Sequence, residues 1–151
     1  IDALAAIAPA AATIIAMITL TLNVWLAAYV TSASGRLRRP WPVLREVNMP
    51  PMTLVALFVA LALCFTGGLL ALIAQIAAAA LLLGYAFTGF AVLHTITLGI
   101  KSRGVLLSFA YALVLVFGWP VIAMIALGLV DAFFGIRQRY LQRKPPPLSS
   151  T

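Results

Sequence analysis

The sequence predicts an all-α protein, a polytopic transmembrane helical bundle of about five spans with a basic cytoplasmic loop and tail. Three observations predict it. Hydrophobic residues make up 64% of the chain and charged residues 9%, with a mean hydropathy of +1.13. A water-soluble domain of 151 residues needs far more polar surface than that. The basic residues fall in short clusters that each follow an apolar run, as cytoplasmic loops do under the positive-inside bias. Finally, glycine and proline divide the apolar sequence into pieces of helical length.

The first span is expected at about residues 9–30, with Pro9 in the first helical turn, where its missing N–H costs nothing. About 20 residues of helix cross about 30 Å of hydrocarbon. Trp25 and Tyr29 are four apart near its end, where an aromatic belt would sit. Thr13, Thr19, Thr21 and Asn23 carry polar atoms unsuited to lipid, so their side is expected to face protein. The segment Thr31 to Pro51 follows, with Gly35 able to end a helix and Pro40, Pro42, Pro50 and Pro51 preventing a new one. Leu37 and Trp41 among its arginines suggest a loop lying on headgroups, although a plain solvated loop reads equally well.

The second span, at about 51–65, is short, about 22 Å as a helix. Thr66-Gly67-Gly68 then makes a tight turn. The third, at about 69–98, is too long to stand upright and is expected to tilt or to bend at Gly84 or Gly89. Its last part, Gly84 to Arg103, joins small residues and the chain's one histidine to a Lys/Arg stop, and the chain is expected to be organised around it. The remaining apolar run is interrupted by Gly118-Trp119-Pro120. Two short spans, at about 104–117 and 120–136, keep the last basic cluster on the same side as the others, so they are preferred to one kinked helix. A single transmembrane domain, 1–144, results, with a disordered tail at 145–151 and the C-terminus inside. The chain opens on Ile1 instead of Met, which leads us to expect a fragment of a longer protein.

Few residues invite chemistry. Ionisable groups inside a membrane are expensive, and His94 and Asp131 are the two that lie at that level. They fall seven and six residues before Lys101 and Arg137, so both sit about 10 Å inside a basic boundary. Asn23 falls close to the same depth. One reading gathers Asn23, His94 and Asp131 into a buried polar cluster that binds a solute or relays a proton. The other, which we favour, is structural, with His94 bonded to Thr97 or a carbonyl and Asp131 reaching Lys101, Arg103 or an arginine in another loop, locking two spans together. One histidine and one aspartate are too few for a metal site or an acid–base pair with substrate contacts. Gly84, Gly89 and Gly128 are candidate helix-packing positions, since glycine lets backbones approach closely. Arg36, Arg38, Arg39, Lys101, Arg103, Arg137 and Arg139 are expected to face anionic headgroups. The net charge of +7 lacks the aromatic-interleaved module of a nucleic-acid binder. Cys64 is alone, and no phosphate loop, Gly-x-Ser-x-Gly or His-Glu-x-x-His motif occurs. No cofactor, metal or catalytic residue is assigned.

GFAVLHTITLGIKSR, followed about thirty residues later by LGLVDAFFGIRQR, resembles the C-terminal half of the YybS-like proteins, bacterial inner-membrane proteins classed as a domain of unknown function. Gly89, Gly128, Asp131 and Arg137 match that pattern, with Asn23 and the Arg39-Pro40-Trp41 loop fitting less closely. The resemblance implies a multi-pass protein of the bacterial inner membrane, cut from a chain about twice as long, and supplies no activity. That family is similar in helical layout to the S components of vitamin transporters, an analogy of fold alone. The reading preferred from the sequence is a non-enzymatic helix-packing subunit or scaffold with the lipid bilayer and another membrane protein as partners. A small-solute transporter component is the alternative, and an intramembrane enzyme comes third.

Overall fold

The computed structural model of this chain describes residues 2–38, 40–41 and 49–143. Arg39, residues 42–48 of the arginine-rich loop and the tail at 145–151 lie outside the described residues. Six helices and no strand occur among those described: α1 (Asp2–Ala33), α2 (Met52–Leu63), α3 (Gly68–Ile96), α4 (Arg103–Phe117), α5 (Val121–Phe134) and α6 (Ile136–Arg143). The fold is therefore all-α. The chain forms two compact units, one of Ile1–Pro42 with Met52–Leu83, the other of Val43–Pro51 with Gly84–Thr151.

In the first unit, α1 begins well before the expected start, and Pro9 lies inside it. The alanine-rich flanks carry the helix through proline, at the loss of one backbone hydrogen bond. The helix ends where Gly35 adopts a φ of +67° and donates to the carbonyl of Ser32. Its threonines do not need a protein neighbour. The hydroxyls of Thr13, Thr19, Thr21 and Thr31 donate to the carbonyls of Pro9, Ile15, Met17 and Ala27 at 2.6–2.8 Å. Satisfied within their own helix, they give that side no reason to be covered, and Thr19, Thr21 and Asn23 are exposed. Within this chain, that side is therefore not packed against protein. Trp41 meets Trp25 edge-on at 6.5 Å, and Trp25 stacks on Tyr29 at 5.8 Å, so a loop residue joins the aromatic pair at the end of α1. The link from α2 to α3 is held by the Thr66 N–H and hydroxyl, both donating to the carbonyl of Leu63. A link this short is of the length that joins the helices of an αα-hairpin. Leu57 and Ala60 of α2 and Ala71, Ala74, Ala78 and Ala79 of α3 are buried.

α3 runs unbroken through Gly84 and Gly89, so neither glycine ends the helix. The second unit holds its later half, where Tyr85, Ala86, Thr88, Ala91, Val92 and Thr95 are at most 1% exposed. The apolar run after Gly104 is divided as expected. Gly118 ends α4 with a φ of +69°, its N–H donating to the carbonyl of Val114, and Pro120 caps α5.

Two helices are long and apolar enough to cross a membrane, α1 over Ile7–Ala33 and α3 over Gly68–Ile96. A third is reached if α5 and α6, bent by 66° to one another, count as one span. α2 and α4 are apolar but shorter, about 18 and 22 Å at 1.5 Å per residue.

Candidate functional site

The second unit is built on a crossing of α3 and α5 at two glycines. A methyl group placed on Gly89 would strike the backbone carbonyl of Met124, with the carbonyl carbon 2.7 Å and the Cα 3.1 Å away. One placed on Gly128 would strike the carbonyl of Tyr85, with its carbon at 2.9 Å and the Gly89 nitrogen at 3.0 Å. The two helices therefore touch backbone to backbone, which only glycine allows at these positions, and glycine Cα–H groups lie against carbonyl oxygens. Gly84 differs. Its neighbour is the flexible end of the Met49 side chain, 2.8 Å from the same imagined methyl.

His94 and Asp131 make separate arrangements. The His94 Nδ1–H donates to the carbonyl of Phe90 one turn earlier, 2.9 Å away. Its ring meets Tyr111 of α4 at 5.9 Å, and Phe90 stacks on the same tyrosine at 5.0 Å and 5°. The histidine thus belongs to an aromatic trio joining α3 to α4. Thr97, a partner considered for it, donates instead to the carbonyls of Leu93 and His94.

Asp131 turns the corner between α5 and α6. Gly135 takes the left-handed conformation (φ 60°, ψ 44°), and its N–H donates to the Asp131 carbonyl at 2.7 Å. That reversal brings Arg137 back over the carboxylate. The Arg137 backbone N–H donates to Oδ1 at 2.9 Å and its Nε–H to Oδ2 at 2.7 Å. A carboxylate at the start of α6 satisfies an orphan donor there and suits the helix dipole. Both side chains are buried, at 5% and 8% exposure. A pair so placed is costly to break from one side, because the remaining charge is left in low dielectric.

The hydrogen-bonded pair considered for His94 and Asp131 is therefore not formed. His94 and Asp131 share no hydrogen bond, because α3 offers His94 a carbonyl and the Gly135 turn delivers Asp131 an arginine. Asn23 is exposed on α1, in the other unit. Arg137 is also corrected: it is buried against Asp131 and does not face headgroups. Arg36, Arg38, Lys101 and Arg139 are exposed, and Arg103 is half-buried, with its Nε enclosed and unpaired. Among the described residues no three His, Cys, Asp or Glu side chains are grouped to hold a metal.

Sequence reasoning missed three participants. Met49 covers Gly84; Tyr85 supplies a carbonyl, a role no side-chain pattern reveals; and the Tyr140 hydroxyl donates to the carbonyl of Leu98 at 3.0 Å. The Asp131–Arg137 pair did have a signal, an aspartate four residues before a capping glycine and an arginine two after it.

These features define an all-α protein with two or three helices apolar enough to cross a membrane and a glycine-mediated helix crossing. Compared with known protein families, with curated proteins and with solved structures, the chain matches none.

Proposed function

We propose that the chain is a non-enzymatic integral protein of a bacterial inner membrane that serves as a helix-packing subunit or scaffold of a membrane assembly. One observation carries the reading. Across the most apolar 18-residue window of α1 no residue is buried, so that stretch of apolar helix is not enclosed by its own chain. A bare surface of that length requires lipid around it and offers neighbouring helices a face. The intramolecular bonds of His94 Nδ1 and of both Asp131 oxygens favour a structural use of those groups over a catalytic one. In this reading the Arg36 loop, Lys101 and the C-terminal basic cluster lie on the cytoplasmic side, the chain makes about five spans, and the exposed cations meet anionic headgroups.

The test is the whole chain expressed in a bacterium, with membranes washed in alkaline carbonate and then dissolved in a gentle detergent for native mass measurement. The chain should stay with the membranes and emerge in fixed ratio with a second membrane protein. Release by carbonate would end the membrane reading. A mass of one chain alone would end the subunit reading.

A further inference from the structure

The corner that Asp131 holds also shapes a groove. α6 leaves α5 at 66°, and Phe134, Ile136, Arg139 and Tyr140 line the space between the end of one helix and the start of the other. Three of the four are apolar or aromatic, and Arg139 is an exposed cation among them. The Tyr140 hydroxyl ties this side of α6 to the carbonyl of Leu98, three residues before the exposed Lys101. Asp131 is the one acidic residue among the described residues of this unit, and its charge is matched by Arg137. The remaining charge at this end is therefore positive. Phe133 and Phe134 are each 60% exposed, which keeps the approach to the groove apolar.

We propose that this groove binds an anionic phospholipid, with an acyl chain along Phe134 and Ile136 and the headgroup phosphate at Arg139, supported by Lys101. The lining selects the occupant. Apolar walls beside a single cation fit an amphiphile, whereas a free hydrophilic anion gains nothing from Phe134 and Ile136 and has too few donors to hold it. Gly135 and the Asp131–Arg137 pair are positioning elements: they set the angle of α6 and occupy Arg137, leaving Arg139 as the cation for the lipid. A basic helix with an apolar side, set at an angle to the preceding helix, is suited to the headgroup boundary.

The inference rests on the membrane reading, and its test fails separately from that one. The full chain is placed in nanodiscs of phosphatidylcholine and phosphatidylglycerol at about four to one, and the lipids kept after release are counted by native mass spectrometry. The wild type should retain phosphatidylglycerol beyond its share. Arg139→Gln should lower that preference about fivefold, the effect of one cation near an anionic surface. Arg139→Lys should keep most of it. Asn23→Ala, an uncharged exposed position in the other unit, should leave it unchanged. Helical circular dichroism checks that each variant is folded. Equal retention of the two lipids by the wild type would overturn the proposal, as would a preference unchanged in Arg139→Gln. Protection from thermal unfolding by millimolar inorganic phosphate equal to that given by phosphatidylglycerol would also overturn it, because the site would then be one for a free anion. A chain that stays in carbonate-washed membranes yet keeps no anionic lipid refutes the groove alone.

Discussion

Replacing Gly89 by alanine tests the central contact of the second unit. The new methyl would lie 2.7 Å from the Met124 carbonyl carbon, whereas two carbon atoms rest comfortably at about 3.5–4.0 Å. The helices must therefore part by roughly 1 Å, and the obstacle is backbone, which cannot swing aside as a side chain does. Overpacking of this kind costs about 1–3 kcal/mol, and a backbone obstacle belongs near the upper end. Alanine's better helix propensity returns up to about 1 kcal/mol, leaving a net loss of about 2 kcal/mol. Gly128→Ala meets the Tyr85 carbonyl carbon at 2.9 Å and should cost a similar amount. Gly84→Ala meets only the thioether end of Met49, which can rotate away, so its change should stay within about 0.5 kcal/mol of zero. In the double variant Gly89→Ala/Gly128→Ala, helices already parted by one methyl accommodate much of the second. The pair should therefore cost less than the sum, by about 0.5–2 kcal/mol. Unfolding in mixed micelles with increasing dodecyl sulfate, followed by tryptophan fluorescence, measures all four. If Gly89→Ala and Gly84→Ala prove indistinguishable, the crossing is not what holds α3 to α5.

Asp131→Ala removes the carboxylate paired with the buried Arg137 and should lose about 3–5 kcal/mol. Asp131→Asn should lose less, since its amide oxygen can still accept from the Arg137 backbone N–H, and Asp131→Ala with Arg137→Leu should fall short of the sum. Equal losses for alanine and asparagine with simple additivity would refute the pair, whereas His94→Ala should add independently to Asp131→Ala. For the proposed topology, a Cys64→Ala background removes the native thiol. Thr66→Cys should then react with an impermeant maleimide from outside intact cells and Arg38→Cys should not; the reverse pattern would overturn it.

What the sequence by itself determined is what local chemistry controls. An all-α chain follows from long apolar runs with few charges, because a backbone in lipid must bond to itself. Gly35 and the Gly118-Trp119-Pro120 break act as expected, since glycine at a positive φ ends the preceding helix and Pro120 sits at the start of the next, where its missing N–H costs nothing. Gly84 and Gly89 carry the same residue type with a different outcome. Inside a helix covered by neighbours, glycine need not end the helix, and at Gly89 it admits the carbonyl of Met124. Equal depth made His94 and Asp131 look like partners, but depth leaves rotation about the helix axis undetermined. The left-handed turn at Gly135 decided Asp131's partner by bringing Arg137 onto it. The threonines of α1 show the same division from the other side. Their hydroxyls had carbonyls within reach one turn back, so a polar residue on an apolar helix did not require a protein face. Which glycines touch, which charges pair and which face stays bare depend on contacts between helices, and only the tertiary structure decided those.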